Sequence, residues 1–261
     1  MLEVNKKEVL LLALYAGEIM LKNGAETYRV EDTITRLCIS KGFYYTDVYV
    51  TPTGIFMSID DRKKDEVLSY IKRIKSRGID LNKVAEVNSF SRDFVNGHIG
   101  LNEGMELLQK IDELLPYPHY IHAIFGGVST SFFALLFGGN LLEFFSAFIT
   151  GILLTYALNI LVSIKFPPFL THITGGMIAG IMAIIFSLSH PLIDIDKVII
   201  GSIMTMVPGV AITNAVRDSI AGDLVSGLAK ATEALIVAAS IAFGVGFILK
   251  LWTFITGGHL I

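Results

Sequence analysis

Charged side chains are scarce in the second part of this 261-residue chain. Residues 1–113 carry 34 of the 45 charged side chains, and the remaining 148 residues carry only 11. A soluble domain keeps charged groups over its whole surface, so this scarcity excludes an ordinary soluble domain after residue 113. We therefore predict two domains with a boundary near residue 115.

The second part contains long intervals without Asp, Glu, Lys or Arg. Five such intervals follow one another, at 114–142, 144–164, 166–193, 198–216 and 234–249. A helix needs about 20 apolar residues to cross a bilayer. We predict a multi-pass α-helical membrane protein whose transmembrane domain, 116–261, has about five transmembrane helices, at 120–138, 143–163, 173–190, 197–216 and 230–252. The pattern Gly176-x-x-x-Gly180 predicts close packing of helix backbones there.

Sequence motifs of common chemistries are missing as well. The single cysteine, Cys38, excludes a disulfide within the chain and fits a reducing compartment. The sequence contains no P-loop, HExxH or GxSxG motif and no Cys/His cluster with metal-ligand spacing. Its net charge is −3, without a basic block. We expect no cofactor, no metal, no nucleic-acid partner and no enzymatic activity.

The first 115 residues predict an α+β domain. Helical spacing of apolar residues, interrupted at Asn23-Gly24, favours helices at 5–22 and 25–40. Three β-rich runs favour strands at 44–50, 53–59 and 67–75, and two later segments, 80–97 and 101–115, favour helices. The N-terminal run is amphipathic and lacks a clear small-residue cleavage site, so we interpret it as the first helix of a cytoplasmic domain.

Lysine and arginine positions predict the orientation. With a cytoplasmic N-terminal domain, the inner face receives Lys110, Lys165, Arg217 and Lys230. The outer face receives Lys197, Lys250 and the acidic segment 194–196. This modest positive-inside bias predicts a protein of the cell inner membrane, in contact with its lipid, with the N-terminus inside and the C-terminus outside.

The segment MTMVPGVAITNAVRDSIAGD, residues 204–223, interrupts the predicted fourth span. Proline removes a backbone hydrogen bond, and hydrocarbon cannot satisfy the freed carbonyl, so such a break favours a pathway or binding site. The candidate pathway residues are Pro208, Gly209, Thr213, Asn214, Arg217, Asp218, Asp223 and Glu233. Two alternatives stay open, because prolines kink many membrane helices and Arg217-Asp218 could mark the membrane interface. Lys230 and Glu233 could also share a helix face and form a salt bridge.

Two polar clusters of the N-terminal domain raise the alternative of an enzyme. The first contains Glu26, Arg29, Glu31 and Asp32, and the second is Ser91-Arg92-Asp93. Ion pairs at i,i+3 and i,i+4 on a solvated helix face account for the same residues.

Two polar residues near the predicted spans have structural interpretations. His122 fits the membrane interface, and Asn159 fits a hydrogen bond between helices.

Four segments together resemble the threonine/serine exporter family. They are LKNGAETYRVEDTITRLC (21–38), TPTGIF (51–56), VNSFSRDFV (87–95) and VPGVAITNAVRDSIAGDLVSGLAKATEAL (207–235). The resemblance is to its stand-alone N-terminal-half members, which include a component of a bacterial succinate exporter. It implies a cytoplasmic domain followed by about five helices. Fused members carry a second, smaller hydrophobic half, so the resemblance implies a separate smaller hydrophobic subunit here; a homo-oligomer is the alternative.

These observations lead to one functional hypothesis and two alternatives. We expect a subunit of a secondary exporter of small hydrophilic metabolites, with threonine or serine ahead of dicarboxylates such as succinate. A proton gradient would drive it, with Asp218, Asp223 or Glu233 taking the proton, and Arg217 would bind a carboxylate of the solute. The alternatives are a membrane-anchored enzyme that uses the N-terminal domain and a non-transporting regulatory or assembly subunit.

Overall fold

A computed structural model describes residues 6–61 and 66–257 of the chain. Contacts between residues divide the chain into two compact units. Unit 1 combines Met1–Leu115 with Gly209–Thr232, and unit 2 combines Pro116–Pro208 with Glu233–Ile261. The predicted domain boundaries did not anticipate that 209–232 would group with the N-terminal residues.

Two helices form the centre of unit 1. Helix α1 is Lys6–Lys22 and α2 is Thr27–Ser40. The turn between them needs the left-handed region, which Gly24 occupies with φ +91°. Helix α1 is buried on most of its surface, because it supplies core residues such as Leu12, Ile19 and Met20. The α1–α2 turn is thus held next to the core of this unit.

A three-stranded antiparallel sheet and two further helices complete the N-terminal part of unit 1. The strands are β1 (Thr46–Thr51), β2 (Gly54–Asp61) and β3 (Glu66–Arg73), in the order β1-β2-β3. Alternate residues of β2, Ile55, Met57 and Ile59, are buried, as a half-buried strand requires. Helices α3 (Leu81–Val95) and α4 (Leu101–Asp112) follow, and Asp80 caps α3 through the N–H groups of Asn82 and Lys83. The predicted helices and strands of this part are present, with ends shifted by at most three residues.

Unit 2 is a helical bundle. It contains α5 (His119–Leu136), α6 (Leu141–Ser163), α7 (Pro168–Ser189), α8 (Ile195–Ile203) and, from Glu233 onward, α10 (Leu224–Ile255). Within the described residues, four helices have the length and apolar composition to cross a membrane: α5, α6, α7 and α10. The chain is therefore a mostly helical membrane protein.

The predicted fourth span at 197–216 is interrupted at the proline, as the sequence predicted. Helix α8 ends at Ile203, and α9 (Gly209–Ile220) begins only after Pro208. Pro208 has no N–H to continue the helix, and the residue before a proline disfavours helical backbone, which explains the break. Helix α8 has 9 residues and α9 has 12, so the described residues contain four long apolar helices where the sequence predicted five spans. By its contacts, α9 belongs to unit 1.

Close contacts at glycines show the helix directions within the bundle. A Cβ on Gly127 of α5 would lie 2.7 Å from the carbonyl oxygen of Phe148 in α6, and these helices run antiparallel. A Cβ on Gly176 of α7 would lie 2.5 Å from the carbonyl oxygen of Ile241, and one on Gly180 would lie 3.2 Å from Ile248. Helix α10 therefore runs parallel to α7. The close packing predicted for the Gly176–Gly180 pair is present on this contact.

Helix α8 begins beside the N-terminus of α6. Asn140 and Glu143 form a capping box at the start of α6, and Glu143 Oε1 also accepts the backbone N–H of Asp194 at 2.8 Å. Gly201 of α8 then packs on Ala134 of α5. After α8, the Met206 side chain is buried in a cluster with Leu154 of α6 and Ile241 of α10. The residues of the break are thus anchored inside the bundle.

Candidate functional site

A cavity of about 540 Å³ lies in unit 1 beside the α1–α2 turn. Helix α3 contributes an apolar wall through Leu81, Val84 and Ala85. Helix α9 contributes another wall, which starts at Gly209. The polar side chains of the lining are Glu26, Arg29, Asn88, Thr213, Asn214 and Arg217. A partly apolar cavity with a few convergent polar groups is the usual form of a small-molecule site.

Glu26 connects two arginines at this cavity. Its Oε1 accepts a hydrogen bond from Arg217 Nη1 at 2.5 Å, and its Oε2 accepts one from Arg29 Nη1 at 3.3 Å. The Glu26 carboxylate is buried, whereas the Arg217 side chain is 55 % exposed and the Arg29 side chain 40 % exposed. The three groups carry a net charge of +1, and the guanidinium groups reach water while their shared carboxylate does not.

The pKa of Glu26 reflects this arrangement. Burial by itself raises the pKa of the carboxyl, but hydrogen bonds from its own backbone N–H and from Arg217, together with the charge of Arg29, more than offset burial. The pKa of Glu26 therefore lies below its ordinary value, and the side chain is ionised at neutral pH. An ionised Glu26 holds both guanidinium groups at the cavity wall.

Asn214 ties α9 to the α1–α2 turn. Its side-chain nitrogen donates to the carbonyl oxygen of Gly24 at 2.8 Å. The adjacent Thr213 donates through Oγ1 to the carbonyl oxygen of Gly209 at 2.9 Å, inside the first turn of α9. Asn214 therefore fixes this wall of the cavity to the turn, whereas Thr213 bonds within its own helix.

A buried ion pair lies on the inner side of this wall. Asp218 is fully buried and its Oδ2 lies 2.7 Å from Lys230 Nζ, whose side chain is itself 8 % exposed. Asp218 Oδ1 accepts the backbone N–H of Thr27 at 3.1 Å, and Lys230 Nζ donates to the carbonyl oxygen of Ala25 at 3.4 Å. Asp218 thus caps the N-terminus of α2, where a negative charge is favourable.

Two more carboxylates lie near this ion pair. Asp223 Oδ2 accepts a hydrogen bond from Thr27 Oγ1 at 3.2 Å, and Glu31 Oε1 accepts the backbone N–H of Val50 at 2.7 Å. Burial raises the pKa of Glu31; the Val50 N–H opposes this, and the carboxylates of Asp223 and Asp218 raise it further. A raised pKa favours the protonated form of a carboxyl. Glu31 is therefore a candidate proton-binding residue of this group.

The structure separates the sequence-predicted pathway residues into three sets. Gly209, Thr213, Asn214 and Arg217 line the cavity. Asp218 and Asp223 lie behind it and hold the start of α2. Pro208 and Glu233 belong to unit 2 and do not line the cavity.

Sequence reasoning missed the partners of these residues. It placed Glu26 and Arg29 in a separate polar cluster, whereas both line the same cavity as Arg217. It also did not find that Lys230 pairs with Asp218. The sequence carries no local signal for these pairs, because their members lie about 190 positions or more apart, except Asp218 and Lys230.

The clusters behind the enzyme alternative do not converge on one site. Glu26 and Glu31 have the partners given above, and Asp32 forms an exposed ion pair with Arg36 at 2.7 Å. In the second cluster, Ser91 is buried and Arg92 donates to Ser89. In the described ranges 6–61 and 66–257, no three His, Cys, Asp or Glu side chains are grouped so as to hold a metal ion.

Apolar helices of membrane-spanning length define a membrane protein, and its unit 1 contains a cavity with arginine side chains in the lining. A family model for threonine/serine exporters matches residues 11–252. The chain therefore belongs to the threonine/serine exporter family.

The relatives of this chain are distant in sequence. A probable threonine/serine exporter of Mycobacterium tuberculosis is 22% identical over 246 residues, which cover 93% of this chain and 46% of that protein. This chain thus spans less than half the length of that relative. The probable succinate transporter subunit YjjP of Escherichia coli is 24% identical over 252 residues, which cover 95% of this chain and 96% of the subunit. YjjP of Klebsiella aerogenes is 23% identical over 254 residues, which cover 95% of each chain. No solved structure matches the chain.

Proposed function

We propose that this chain is a subunit of an inner-membrane secondary exporter for small carboxylate-bearing metabolites, with threonine or serine ahead of succinate. In this proposal unit 1 lies in the cytoplasm and its cavity receives the solute before export. The names of the relatives support both solute classes, because one is called a threonine/serine exporter and the others a succinate transporter subunit. Both classes of solute carry a carboxylate.

The observation that carries the proposal is the pair of half-exposed arginines on Glu26. Arg217 and Arg29 share the single carboxylate of Glu26, so the three groups keep a net charge of +1. One solute carboxylate that pairs with a guanidinium group would neutralise this charge. Guanidinium groups bind carboxylates with two parallel hydrogen bonds, which gives geometric selectivity. Thr213 and Asn88 add neutral hydrogen-bonding groups to the same lining.

We assign the driving force to protons, with the carboxylates behind the cavity as the coupling groups. Asp218 and Asp223 contact the start of α2 through Thr27, two residues away from the solute-facing Arg29. A change in the charge of this group would alter the N-terminal cap of α2 and therefore the position of Glu26. Glu233 would be a separate proton carrier in unit 2.

Efflux measurements test this function. Cells that express the chain, and cells that lack it, are loaded with labelled threonine, serine and succinate. We expect faster efflux of at least one of them in the presence of the chain, and roughly a tenfold or greater loss in Arg217→Ala at unchanged membrane levels, because a lost charge-assisted hydrogen bond costs about 1.5–3 kcal/mol. Arg36→Ala is the matched control, because Arg36 forms an exposed i,i+4 pair with Asp32 away from the cavity. Efflux of all three solutes that is independent of the chain would contradict the proposal.

A further inference from the structure

Unit 2 contains a second cavity, which we call the polar cleft. It has a volume of about 480 Å³ and lies between α5, α6 and the residues that follow α8. Its hydrogen-bonding side chains are His122, Ser129, Thr155, Asn159 and Thr205. His122 Nδ1 and the Asn159 side chain form a hydrogen bond of 3.2–3.3 Å across α5 and α6. The expected helix–helix bond of Asn159 is therefore part of the wall of this cleft.

The polar cleft reaches from one end of the bundle toward its middle. His122 lies in the first turn of α5, and Ser129 and Phe133 line the cleft further along the same helix. At about 1.5 Å per residue, Ser129 lies about 10 Å and Phe133 about 16 Å beyond His122. The hydrocarbon core of a bilayer is about 30 Å thick, so the cleft extends to about half of that depth.

Lipid chains cannot form hydrogen bonds with the polar side chains of this cleft. Hydrocarbon offers no hydrogen-bond partner, so polar side chains at membrane depth face water, solute or protein. The interrupted backbone of Met204 and Thr205 lies on the same cleft, shortly before Pro208. Non-helical backbone at membrane depth is tolerated where it lines a cavity, and in secondary transporters it marks the solute site.

We propose that the polar cleft is a water-accessible solute site within the membrane, built for a small polar solute of zero net charge. This proposal rests on the proposed export function and deepens it. The residues that line the cleft include no Asp, Glu, Lys or Arg. Its hydroxyl, amide and imidazole groups can meet the polar groups of a zwitterion, whereas a dianion would find no fixed counter-charge at this depth.

Cysteine labelling tests the site without requiring transport. The native Cys38 is fully buried, and burial raises its pKa to about 12, so it reacts little with thiol reagents. Ser129→Cys and Thr155→Cys each introduce one thiol into the cleft, from two different helices. Leu153→Cys is the matched control, since Leu153 is an exposed apolar residue of α6 outside the cleft.

The full chain, purified together with any protein that co-purifies with it, is placed in proteoliposomes and treated with a charged, membrane-impermeant methanethiosulfonate. Because thiolate forms in water and not in hydrocarbon, we expect both cleft variants to label roughly tenfold or more faster than Leu153→Cys. Serine at millimolar concentration is expected to slow the labelling several-fold, and succinate at the same concentration to leave it unchanged.

Three outcomes overturn the inference. Labelling of both variants at the Leu153→Cys rate would show that lipid or protein fills the cleft. Labelling that serine leaves unchanged would show a water-filled cleft without a solute site. Protection by succinate and not by serine would show that the solute class is wrong. The export function can survive each of these results, because it is tested separately by efflux from cells.

Discussion

Asp218 and Lys230 form an ion pair that is almost wholly shielded from water. Two buried charges neutralise one another, and either one alone would be left uncompensated in a poorly polarisable environment. Asp218 lies in α9 and also accepts the N–H of Thr27 at the start of α2, so the ion pair helps to hold α9 against α2. The predicted role of Asp218 as a proton carrier would require breaking this pair in each transport cycle.

We expect Asp218→Asn and Lys230→Met each to lower the stability of the purified protein strongly, by about 3–5 kcal/mol. The asparagine side chain can still accept the Thr27 N–H, so the loss in Asp218→Asn comes from the unpaired lysine charge. The double variant leaves no unpaired charge and is expected to lose less than the sum of the two single variants. Midpoints of thermal unfolding in detergent measure this, and strictly additive losses would refute the coupling.

Glu31 is expected to make stability depend on pH. Its pKa in the folded protein is raised above 4.5, so the folded state holds the proton more tightly than the unfolded chain. Its contribution to stability is therefore fully present below pH 4.5 and is lost as the pH rises through the folded-state pKa. Glu31→Gln keeps an oxygen for the Val50 N–H and removes the charge.

Relative to wild type, Glu31→Gln should gain thermal stability as the pH rises from about 4.5 to about 7.5, with little difference at the lower limit. Glu86→Gln, at an exposed position of α3, is the control. Unfolding midpoints at several pH values measure the difference. A constant offset across the range would mean that Glu31 does not titrate differently in the folded state.

Helix directions bear on how often the chain crosses the membrane. Helices α7 and α10 run parallel, so the chain must return across the bundle between the end of α7 and the unit 2 part of α10. The nine residues of α8 rise about 14 Å, and residues 204–206 continue from its end in turns. These residues are the part of unit 2 that lies between α7 and α10 and can make this return.

We therefore predict five crossings, the fourth of them made by α8 and the broken segment after it. The N-terminus should lie inside and the C-terminus outside, as the distribution of lysine and arginine indicates. Reporter fusions after Ile261 and within 191–196 should both give an outside signal. An inside signal from the C-terminus, with an outside signal from 191–196, would show that α8 re-enters the membrane without crossing it.

The whole molecule leaves polar surface open at membrane depth. The lining of the polar cleft includes the exposed Thr205. Transporters commonly enclose their solute between two repeats or bundles. A second protein that closes this cleft would complete a pathway that the described helices of unit 2 line on one side.

We predict that the working exporter contains a separate, smaller hydrophobic protein. Native mass spectrometry of the tagged chain, purified from its own membranes, should give complexes whose masses are not multiples of 28.6 kDa. Co-reconstitution of the co-purified protein should raise gradient-driven flux well above that of the chain alone. Masses in whole multiples of 28.6 kDa, with full flux from the chain alone, would establish the homo-oligomer instead.

Local patterns were enough to predict the helices and strands. Apolar spacing placed α1 to α4 and the three strands within a few residues, because secondary structure follows side-chain periodicity and turn residues. Long intervals without charge predicted the apolar helices, since hydrocarbon excludes charge whatever the fold. Pro208 predicted the break, because a missing N–H interrupts a helix in any context.

Pairing between distant residues could not be predicted in the same way. Glu26 and Arg217 are 191 positions apart, and the first 113 residues offer many acidic side chains with equal claim on that arginine. In the folded chain Arg217 contacts Glu26, because the Gly24 turn and the core around α1 place the start of α2 beside α9. For the same reason the sequence assigned α9 to the membrane by its position in the chain, while its contacts place it in unit 1. Hydrophobicity is a property of each segment and can be predicted from that segment alone. An ion pair or a cavity forms only when segments distant in sequence come together in the fold.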